Sequence, residues 1–323
     1  MKSVTAPQVQ LLEVDESSEG QRVDNYLTKV LKGVPKTHIY RLVRAGEVRV
    51  NKKRVQADSR LTLGDVVRIP PVRVSQPSPE LSEARIPPAE FPVLFEDDGF
   101  LAINKPAGIA VHGGSGVNFG VIEQLRSARP EARMLELVHR LDRDTSGILL
   151  IAKKRSVLKN LQDQFRNRTI DKRYLTLVKG TWPERRKVVD LELFKYLLPN
   201  GERRVKVVSQ PIDGSQRSVS LVRVLAHGSI PNEGDAVTLL EVKIKTGRTH
   251  QIRVHLSYFD TPIAGDDKYG DFVWNKALQQ IGFKRMYLHA YHLTLQHPVN
   301  SQVIEITANV PDELRPWSLN WAK

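Results

Sequence analysis

The sequence predicts an α+β protein in which a small N-terminal α/β module precedes a mixed, largely antiparallel sheet with flanking helices. Two observations separate the module from the rest. Residues 20–75 contain 13 Lys or Arg against 4 Asp or Glu, and seven of the 23 residues from Pro70 to Pro92 are prolines. A third observation predicts the sheet: beyond residue 92, apolar runs are joined by turns and short connections more often than by crossover helices.

The N-terminal module is predicted to contain two helices followed by short strands. Leu27, Val30 and Leu31 have helical spacing, and Pro35 and Gly46 mark the start and the end of the second helix. Alternating apolar and polar residues then predict two short strands, Val48–Val50 and Val66–Ile69.

These boundaries divide the chain into four segments. They are a flexible N-terminus (1–19), the basic module (20–75), a proline-rich linker (76–91) and one larger domain (92–323). The strands predicted in the larger domain are Phe100–Asn104, Gly147–Ala152, Arg173–Val178, Val237–Lys245 and Tyr287–Leu295. The helices predicted there are Ser156–Asn167 and Thr249–Tyr258.

The net charge of +13 predicts a polyanionic partner, either nucleic acid or an anionic membrane surface. On the second helix of the module, Ile39, Leu42 and Val43 share a face that is predicted to be buried. Another face interleaves cations with an aromatic ring, which favours nucleic-acid binding over a merely solvated basic surface. The predicted RNA-binding residues of the module are Lys36, Tyr40, Arg41, Arg44, Lys52, Lys53 and Arg54.

Composition also excludes several classes of protein. Cysteine is absent, which excludes disulfides, thiol nucleophiles and cysteine-based zinc sites. No run of about 18 apolar residues predicts a membrane-spanning helix. The first 20 residues are acidic and lack an apolar segment, so no cleaved secretory signal is predicted. The absence of cysteine fits a reducing compartment, and a cytoplasmic location is expected. Dinucleotide-binding, P-loop, zinc-protease and serine-hydrolase motifs are missing, and no cofactor is predicted.

Two polar segments stand where strands begin or end. HRLDRDTSG (139–147) leads directly into an apolar strand, and TGRTHQIRVH (246–255) joins a strand to a helix. A charged turn with local Asp–Arg pairs is the alternative interpretation of the first segment. Two such junctions can converge at one end of a sheet and form a preorganised site. The histidines lack carboxylates at ligand spacing, so no metal site is predicted.

Together with NKPAG (104–108) and KRYLTLVKG (172–180), these segments resemble the motifs of the RluA family of pseudouridine synthases. Residues 22–65 resemble the S4 RNA-binding domain. The resemblance implies the pseudouridine synthase fold and an isomerase that needs no cofactor or metal. It also implies several target uridines in bacterial 23S ribosomal RNA, with either a covalent base adduct or a glycal as intermediate.

The resemblance assigns the reacting carboxylate to Asp142, although composition alone would also allow Asp144. It implies that Arg253 keeps Asp142 ionised against desolvation, and that Tyr174 stacks on uracil and moves a proton. Arg140 would fill the gap left by a flipped base or clamp a phosphate, with a structural ion pair as the alternative.

Lys105 and Tyr269 complete the predicted substrate-binding residues. Tyr269 is interpreted as a pocket wall, and the alternative for Lys105 is support of its own loop. The expected partner is ribosomal RNA, with no membrane and no obligate protein partner, so that a monomer is expected. The alternatives are a sister synthase acting on other rRNA uridines or on tRNA, a non-catalytic S4-type ribosome-assembly factor, and a metal-dependent RNA hydrolase.

Overall fold

A computed structural model of the protein describes residues 8–15, 18–31, 33–72, 86–113, 119–230 and 234–318. The chain divides into two compact units, Met1–Ile86 and Pro87–Lys323. Most of the predicted linker, residues 76–85, lies outside the described residues. Its predicted end at residue 91 is wrong, because Phe91 is buried in the core of the second unit. No helix in the described ranges is long and apolar enough to span a membrane.

The first unit packs two helices against a four-stranded antiparallel sheet with strand order β1-β4-β2-β3. Its elements are β1 (Gln10–Glu13), α1 (Val23–Val30), α2 (Lys36–Ala45), β2 (Arg49–Val50), β3 (Lys53–Arg54) and β4 (Val66–Ile69). The predicted burial of Ile39, Leu42 and Val43 is confirmed. The predicted flexible N-terminus is wrong for residues 10–13, because β1 pairs with β4 along its whole length.

The second unit is built on one sheet of eleven strands, counted over the described residues. The strands are β5 (Val93–Glu96), β6 (Phe100–Lys105), β7 (Glu136–Leu137), β8 (Ser146–Ala152), β9 (Asp171–Lys179), β10 (Val188–Leu197), β11 (Arg203–Val208), β12 (Gln216–Ser229), β13 (Ala236–Ile244), β14 (Leu288–Gln296) and β15 (Val303–Thr307). The helices are α3 (Val121–Ala128), α4 (Arg155–Arg166), α5 (Gln251–Tyr258) and α6 (Phe272–Gln280), with a 3₁₀ turn at Arg315–Trp317.

The strand order is β11-β10-β12-β13-β9-β14-β8-β6-β5, with β15 beside β14 and β7 beside β8. Only the pair β14–β8 is parallel among the described strands, so the predicted mixed, largely antiparallel sheet is confirmed. The sequence did not predict β10, β11 and β12. Charged and half-buried residues interrupt these strands, which weakens the apolar signal from which strands are predicted.

Both faces of the central strand β9 are covered by hydrophobic core. Tyr174 lies in the cluster that contains Val242 of β13, whereas Leu175 and Leu177 pack on the other side with residues of α6. Tyr174 therefore lies on the opposite face of β9 from these two leucines. This alternation places the tyrosine on the face of the sheet where the two polar segments meet.

A close approach between β8 and β14 explains the glycine that ends the HRLDRDTSG segment. Gly147 has a φ of +112°, and a Cβ at this position would lie 2.2 Å from the carbonyl oxygen of Ala290. Only glycine fits such an approach without displacing backbone. The loop that carries Asp142 is thus anchored directly against the neighbouring strand.

Candidate active site

The two polar segments line one pocket beside the central strands of the sheet. Residues 140–142 and 145 come from the loop before β8, residues 247–253 come from the start of α5, and Tyr174 of β9 lies between them. The cavity of about 130 Å³ is smaller than the roughly 300–1,000 Å³ of typical ligand clefts. It is suited to one flat ring rather than to a whole nucleotide.

Asp142 and Arg253 face each other in this pocket. The Asp142 side chain is 21% exposed and that of Arg253 only 2%, and Nη1 of Arg253 lies 3.6 Å from Oδ2 of Asp142. This distance is within the ion-pair range that the sequence predicts for the pair. In the described residues, no hydrogen bond reaches either carboxylate oxygen of Asp142, so this group can meet a substrate without first breaking a hydrogen bond.

Asp266 binds the two guanidinium nitrogens of Arg253, Nε and Nη2, that do not face Asp142. It accepts hydrogen bonds from Nε at 2.7 Å and from Nη2 at 2.6 Å, and it is fully buried. The backbone amides of Lys268 and Tyr269 also donate to Asp266. Burial opposes the charge of Arg253, yet the hydrogen bonds and charges of Asp266, with Asp142 and Asp267 nearby, raise its pKa above the ordinary value.

Sequence reasoning missed Asp266, although a signal for it was present. A buried arginine needs a carboxylate that neutralises it, and the segment from Asp266 to Tyr269 offers two. Because Asp266 occupies Nε and Nη2, only Nη1 remains to face Asp142. Asp142 and Arg253 are therefore not an isolated pair, because Asp266 and, at 3.2 Å, the more exposed Asp267 also contact the guanidinium.

Tyr174 presents its ring to the pocket and keeps its proton. Burial, and after it the negative charge of Asp142, raise the pKa of the Tyr174 hydroxyl well above its usual range. The group is therefore a phenol at neutral pH, able to donate a hydrogen bond. The ring itself is 9% exposed and supplies a flat apolar wall.

The two neighbours of Asp142 in the predicted motif differ in their contacts. Asp144 pairs with Arg143 at 3.2 Å and does not line the pocket. Arg140 lines the mouth of the pocket, and its exposed side chain has no ion pair among the described residues. The local Asp–Arg pair weighed from composition thus exists, but it involves neither Asp142 nor Arg140.

His139 is half-buried and does not line the pocket. Its ring stacks on Phe165, and its Nε2 accepts a hydrogen bond from the Leu150 amide at 3.1 Å. Burial, helped by the nearby Lys172 charge, lowers the pKa of His139 to about 3, so the ring is neutral. In the described ranges, no group of three or more His, Asp or Glu side chains could hold a metal ion.

Sequence similarity to named proteins shows which reaction this site serves. The chain is 49% identical over 310 residues to a Haemophilus influenzae protein named ribosomal large subunit pseudouridine synthase C, covering 95% of this chain and 93% of that protein. The chain belongs to the family of RNA pseudouridylate synthases. A Pasteurella multocida protein of the same name is 48% identical over 312 residues, covering 95% of this chain and 92% of that protein.

Family and structural matches agree with this assignment. Residues 99–258 of the synthase match the RNA pseudouridylate synthase family, and residues 21–67 match the S4 domain. Human RNA pseudouridylate synthase domain containing 4 is 26% identical with a TM-score of 0.54, over 71% of this chain and 92% of that one. Human RNA pseudouridylate synthase domain containing 1 is 27% identical with a TM-score of 0.56, over 71% and 86%. The chain therefore has the pseudouridine synthase fold and converts uridine into pseudouridine in RNA.

Lys105 of the synthase does not reach the pocket, which corrects its predicted contact with substrate. The residue is fully buried, and its Nζ donates to the carbonyl oxygens of Pro106, Ile109 and Arg143 at 2.8, 2.8 and 3.0 Å. Burial lowers the pKa of Lys105 to about 7, against the opposing charges of Asp144 and Asp142. Lys105 ties its own loop to the loop of Asp142, which is the alternative that the sequence left open.

Replacing Lys105 tests whether its hydrogen bonds connect the two loops. Lys105→Met removes the donor of three hydrogen bonds and leaves an unpaired loop contact, so we expect the free energy of unfolding to fall by about 2 kcal/mol. Chemical denaturation measures this, and turnover should fall with it because the loop of Asp142 loosens. Lys159→Met on the exposed side of α4 is the matched control and should change neither. A Lys105→Met protein with native stability and full activity would contradict this structural role of Lys105.

Tyr269 is likewise not a pocket wall in this structure. Its ring packs with Val254 and under the guanidinium of Arg204, and its hydroxyl lies 2.8 Å from Nδ1 of His250. The wall at this place is His250, which the sequence did not predict as a substrate-binding residue. The reason is geometric: residue 250 closes the turn before α5, and its ring stands between Tyr269 and the pocket.

In the S4 unit, six of the seven predicted RNA-binding side chains are exposed cations. The aromatic member, Tyr40, is 40% exposed and donates its hydroxyl proton to Oδ2 of Asp24 at 2.9 Å. Asp24 also pairs with Arg22 at 2.8 Å. The ring of Tyr40 is thus fixed on the surface of α2 between the cations. The exposed cations are Lys36, Arg41, Arg44, Lys52, Lys53 and Arg54.

Proposed function

We propose that this synthase isomerises several uridines in the 23S RNA of the large ribosomal subunit, with Asp142 as the reacting carboxylate. The observation that carries the proposal is the placement of Asp142, which lies in the pocket against Arg253 with no hydrogen bond from the described residues to either carboxylate oxygen. The target RNA is supported by the names of the bacterial relatives, which cover nearly the whole chain.

The isomerisation breaks the bond between N1 and C1′, turns the base, and joins C1′ to C5. A carboxylate serves this reaction as a nucleophile or a charge stabiliser at C1′, and it must be ionised to do so. The uracil seals the pocket from water, and desolvation alone would protonate Asp142. Arg253 opposes this because its own charge is fixed by Asp266.

Tyr174 and Arg140 have separate roles in this proposal. Tyr174 stacks against the uracil and, as a phenol, donates a proton or a hydrogen bond during the sugar step. Arg140, exposed at the mouth of the pocket, fills the space that the flipped nucleotide leaves or holds its phosphate. Its lack of an ion pair among the described residues supports this role over a structural one.

Pseudouridine mapping tests the proposed target. We expect ribosomal RNA from cells that lack the gene to lose pseudouridine at several 23S positions. The native gene should restore them, and a gene encoding Asp142→Asn should not. Loss of pseudouridine from tRNA instead would indicate a sister specificity. Restoration by Asp142→Asn would indicate an assembly factor whose binding, rather than its chemistry, matters.

The S4 unit is proposed to supply part of the RNA affinity by neutralising phosphates. We expect a chain that begins at Pro87 to stay folded, because Ala89 and Phe91 pack within the second unit. Its affinity for rRNA should be weaker, and the salt dependence shallower by about 0.7–0.9 for each phosphate that the S4 unit neutralises in the full chain. Affinity measured at several salt concentrations for both chains decides this.

Two charge-matched double variants of the full chain test whether the exposed basic face of α2 contacts RNA phosphates. Lys36→Gln with Arg44→Gln should reduce the salt slope, whereas Lys276→Gln with Lys284→Gln should leave it close to the native value. Equal slopes for all chains would mean that the α2 face is only a solvated surface.

We also propose that the synthase acts as a monomer in the cytoplasm. The proposed ribosomal RNA target supports this location, because that RNA is made and assembled there in bacteria. Sedimentation of the purified protein, alone and with RNA, tests the oligomeric state. A stable dimer in the absence of RNA would contradict this part of the proposal.

A further inference from the structure

His250 occupies a strained backbone position beside the reacting carboxylate. Its φ is +52°, in the left-handed region that residues other than glycine rarely adopt. Six such residues occur among the described ranges, and His250 alone of them lines the pocket. Strained conformations of this kind persist where the surrounding structure holds a side chain in place for function.

The ring of His250 is held by a hydrogen-bond chain that starts at the backbone of β11. The Val205 amide donates to the hydroxyl oxygen of Tyr269 at 2.9 Å, and this oxygen lies 2.8 Å from Nδ1 of His250. On the other side of the ring, Nε2 lies 4.0 Å from Oδ2 of Asp142. One side of the imidazole is therefore fixed and the other faces the carboxylate.

This arrangement selects one tautomer of the ring. The Tyr269 hydroxyl has a single proton, and of its two hydrogen-bond contacts among the described residues, the Val205 amide is a donor and Nδ1 of His250 is the one that can accept that proton. The proton of the neutral ring then resides on Nε2. The opposite tautomer would point the Nε2 lone pair at a carboxylate oxygen, which is electrostatically unfavourable.

The two carboxylate oxygens of Asp142 have different surroundings. Oδ2 faces both Nη1 of Arg253 at 3.6 Å and Nε2 of His250 at 4.0 Å. Oδ1 accepts no hydrogen bond within the part of the chain that the structure describes, and Oδ2 is the oxygen that lies closer to both donors. Both donors on Oδ2 lie just beyond hydrogen-bond distance, so a small rotation of the carboxylate brings them into contact.

We propose that Tyr269 and His250 form a positioning relay for Asp142, in which the Tyr269 hydroxyl fixes the His250 proton on Nε2 and this N–H holds Oδ2. Oδ1 is then the oxygen presented to the substrate. The inference rests on the proposed role of Asp142. Neither residue touches the reacting atoms, so both are positioning residues.

The charge state of His250 suits this role. Burial lowers its pKa, and the charges of Arg253 and Lys268 lower it further, whereas Asp142 and Asp266 raise it, with a net lowering. The ring is neutral at neutral pH and donates a hydrogen bond without adding a charge. The ion balance between Asp142, Arg253 and Asp266 is left intact.

Single-turnover rates on unmodified 23S rRNA transcript test the relay. His250→Leu removes the donor and should slow turnover about 10- to 100-fold, the effect of one hydrogen bond to a charged group. His250→Gln carries an amide donor at similar reach and should recover most of this loss. Transcript affinity should fall far less than the rate in both variants, because the relay acts on the chemical step and His250 is only one of the residues that line the pocket. Tyr258→Phe, at an exposed tyrosine of the same helix, is the control and should retain the native rate.

Tyr269→Phe should slow turnover in the native background but have little further effect in the His250→Gln background, where no tautomer remains to be fixed. Additive losses in the two backgrounds would overturn the relay. Equal losses for His250→Leu and His250→Gln would overturn it as well.

A direct measurement separates this inference from the proposed function. Nitrogen-15 spectra of histidine-labelled full-length protein should show the His250 proton on Nε2. A proton on Nδ1 overturns the relay whatever the activity of Asp142→Asn. An Nε2 proton together with an active Asp142→Asn protein overturns the catalytic role of Asp142. The relay would then position a carboxylate that does not react.

Discussion

Asp142→Asn is expected to fold, to bind RNA as the native protein does, and to lose pseudouridine formation by at least about 10⁴-fold, the scale of losing a catalytic nucleophile. The substitution keeps the shape of the side chain but removes the negative charge that the sugar step needs. The variant should still fold, because Arg253 keeps its hydrogen bonds from Nε and Nη2 to the carboxylate of Asp266. Quantifying pseudouridine in a 23S transcript measures the effect.

Asp144→Asn is the matched control for this prediction. Asp144 stands two residues further along the same loop, pairs with Arg143 at 3.2 Å and lies outside the pocket. We expect it to keep most of the native rate, because an exposed pair of this kind contributes little. The reverse result, an inactive Asp144→Asn with an active Asp142→Asn, would show that the reacting carboxylate is misassigned.

Asp266→Ala is expected to lower the free energy of unfolding by about 3–5 kcal/mol, the cost of leaving a buried charge without its partner. It should also slow turnover severely, because Arg253 is no longer held with Nη1 toward Asp142. Denaturant unfolding and single-turnover rates measure the two effects. Asp267→Ala removes a carboxylate that also contacts Arg253, at 3.2 Å, but is 55% exposed, so it should cost no more than about 1 kcal/mol.

The carboxylate of Asp266 also makes the stability of the protein depend on pH. Burial works against the ionised form of Asp266, but the hydrogen bonds and the charge of Arg253 outweigh it, so the folded-state pKa lies below the ordinary value of 3.8. Its stabilisation is therefore complete above about pH 4 and is lost as the pH falls through the lower folded-state value. The Asp266→Ala protein should lose less stability than the native protein on acidification over this range. Equal losses would contradict the assignment.

Local patterns in the sequence determined a large part of this molecule. The spacing of Ile39, Leu42 and Val43 predicts the buried face of α2, and the alternation around Tyr174 predicts which face of β9 the ring occupies. Both are local properties, because helix and strand periodicity fixes which side chains share a face. The position of the two polar segments at element ends likewise predicts that they meet, which the pocket confirms.

Only the tertiary structure decided which side chains contact each other within the site. Lys105 and Tyr269 stand in motifs that resemble substrate contacts, yet one ties two loops together and the other lies behind His250. The sequence offers two carboxylates near Arg253, and only the hydrogen bonds show that Asp266, thirteen residues later in the chain, is the one that binds it on two nitrogens. The physical reason is that residue spacing fixes the face on which a side chain lies. The partner that neutralises a buried charge depends on how elements distant in sequence pack, and this packing has no local signature in the sequence.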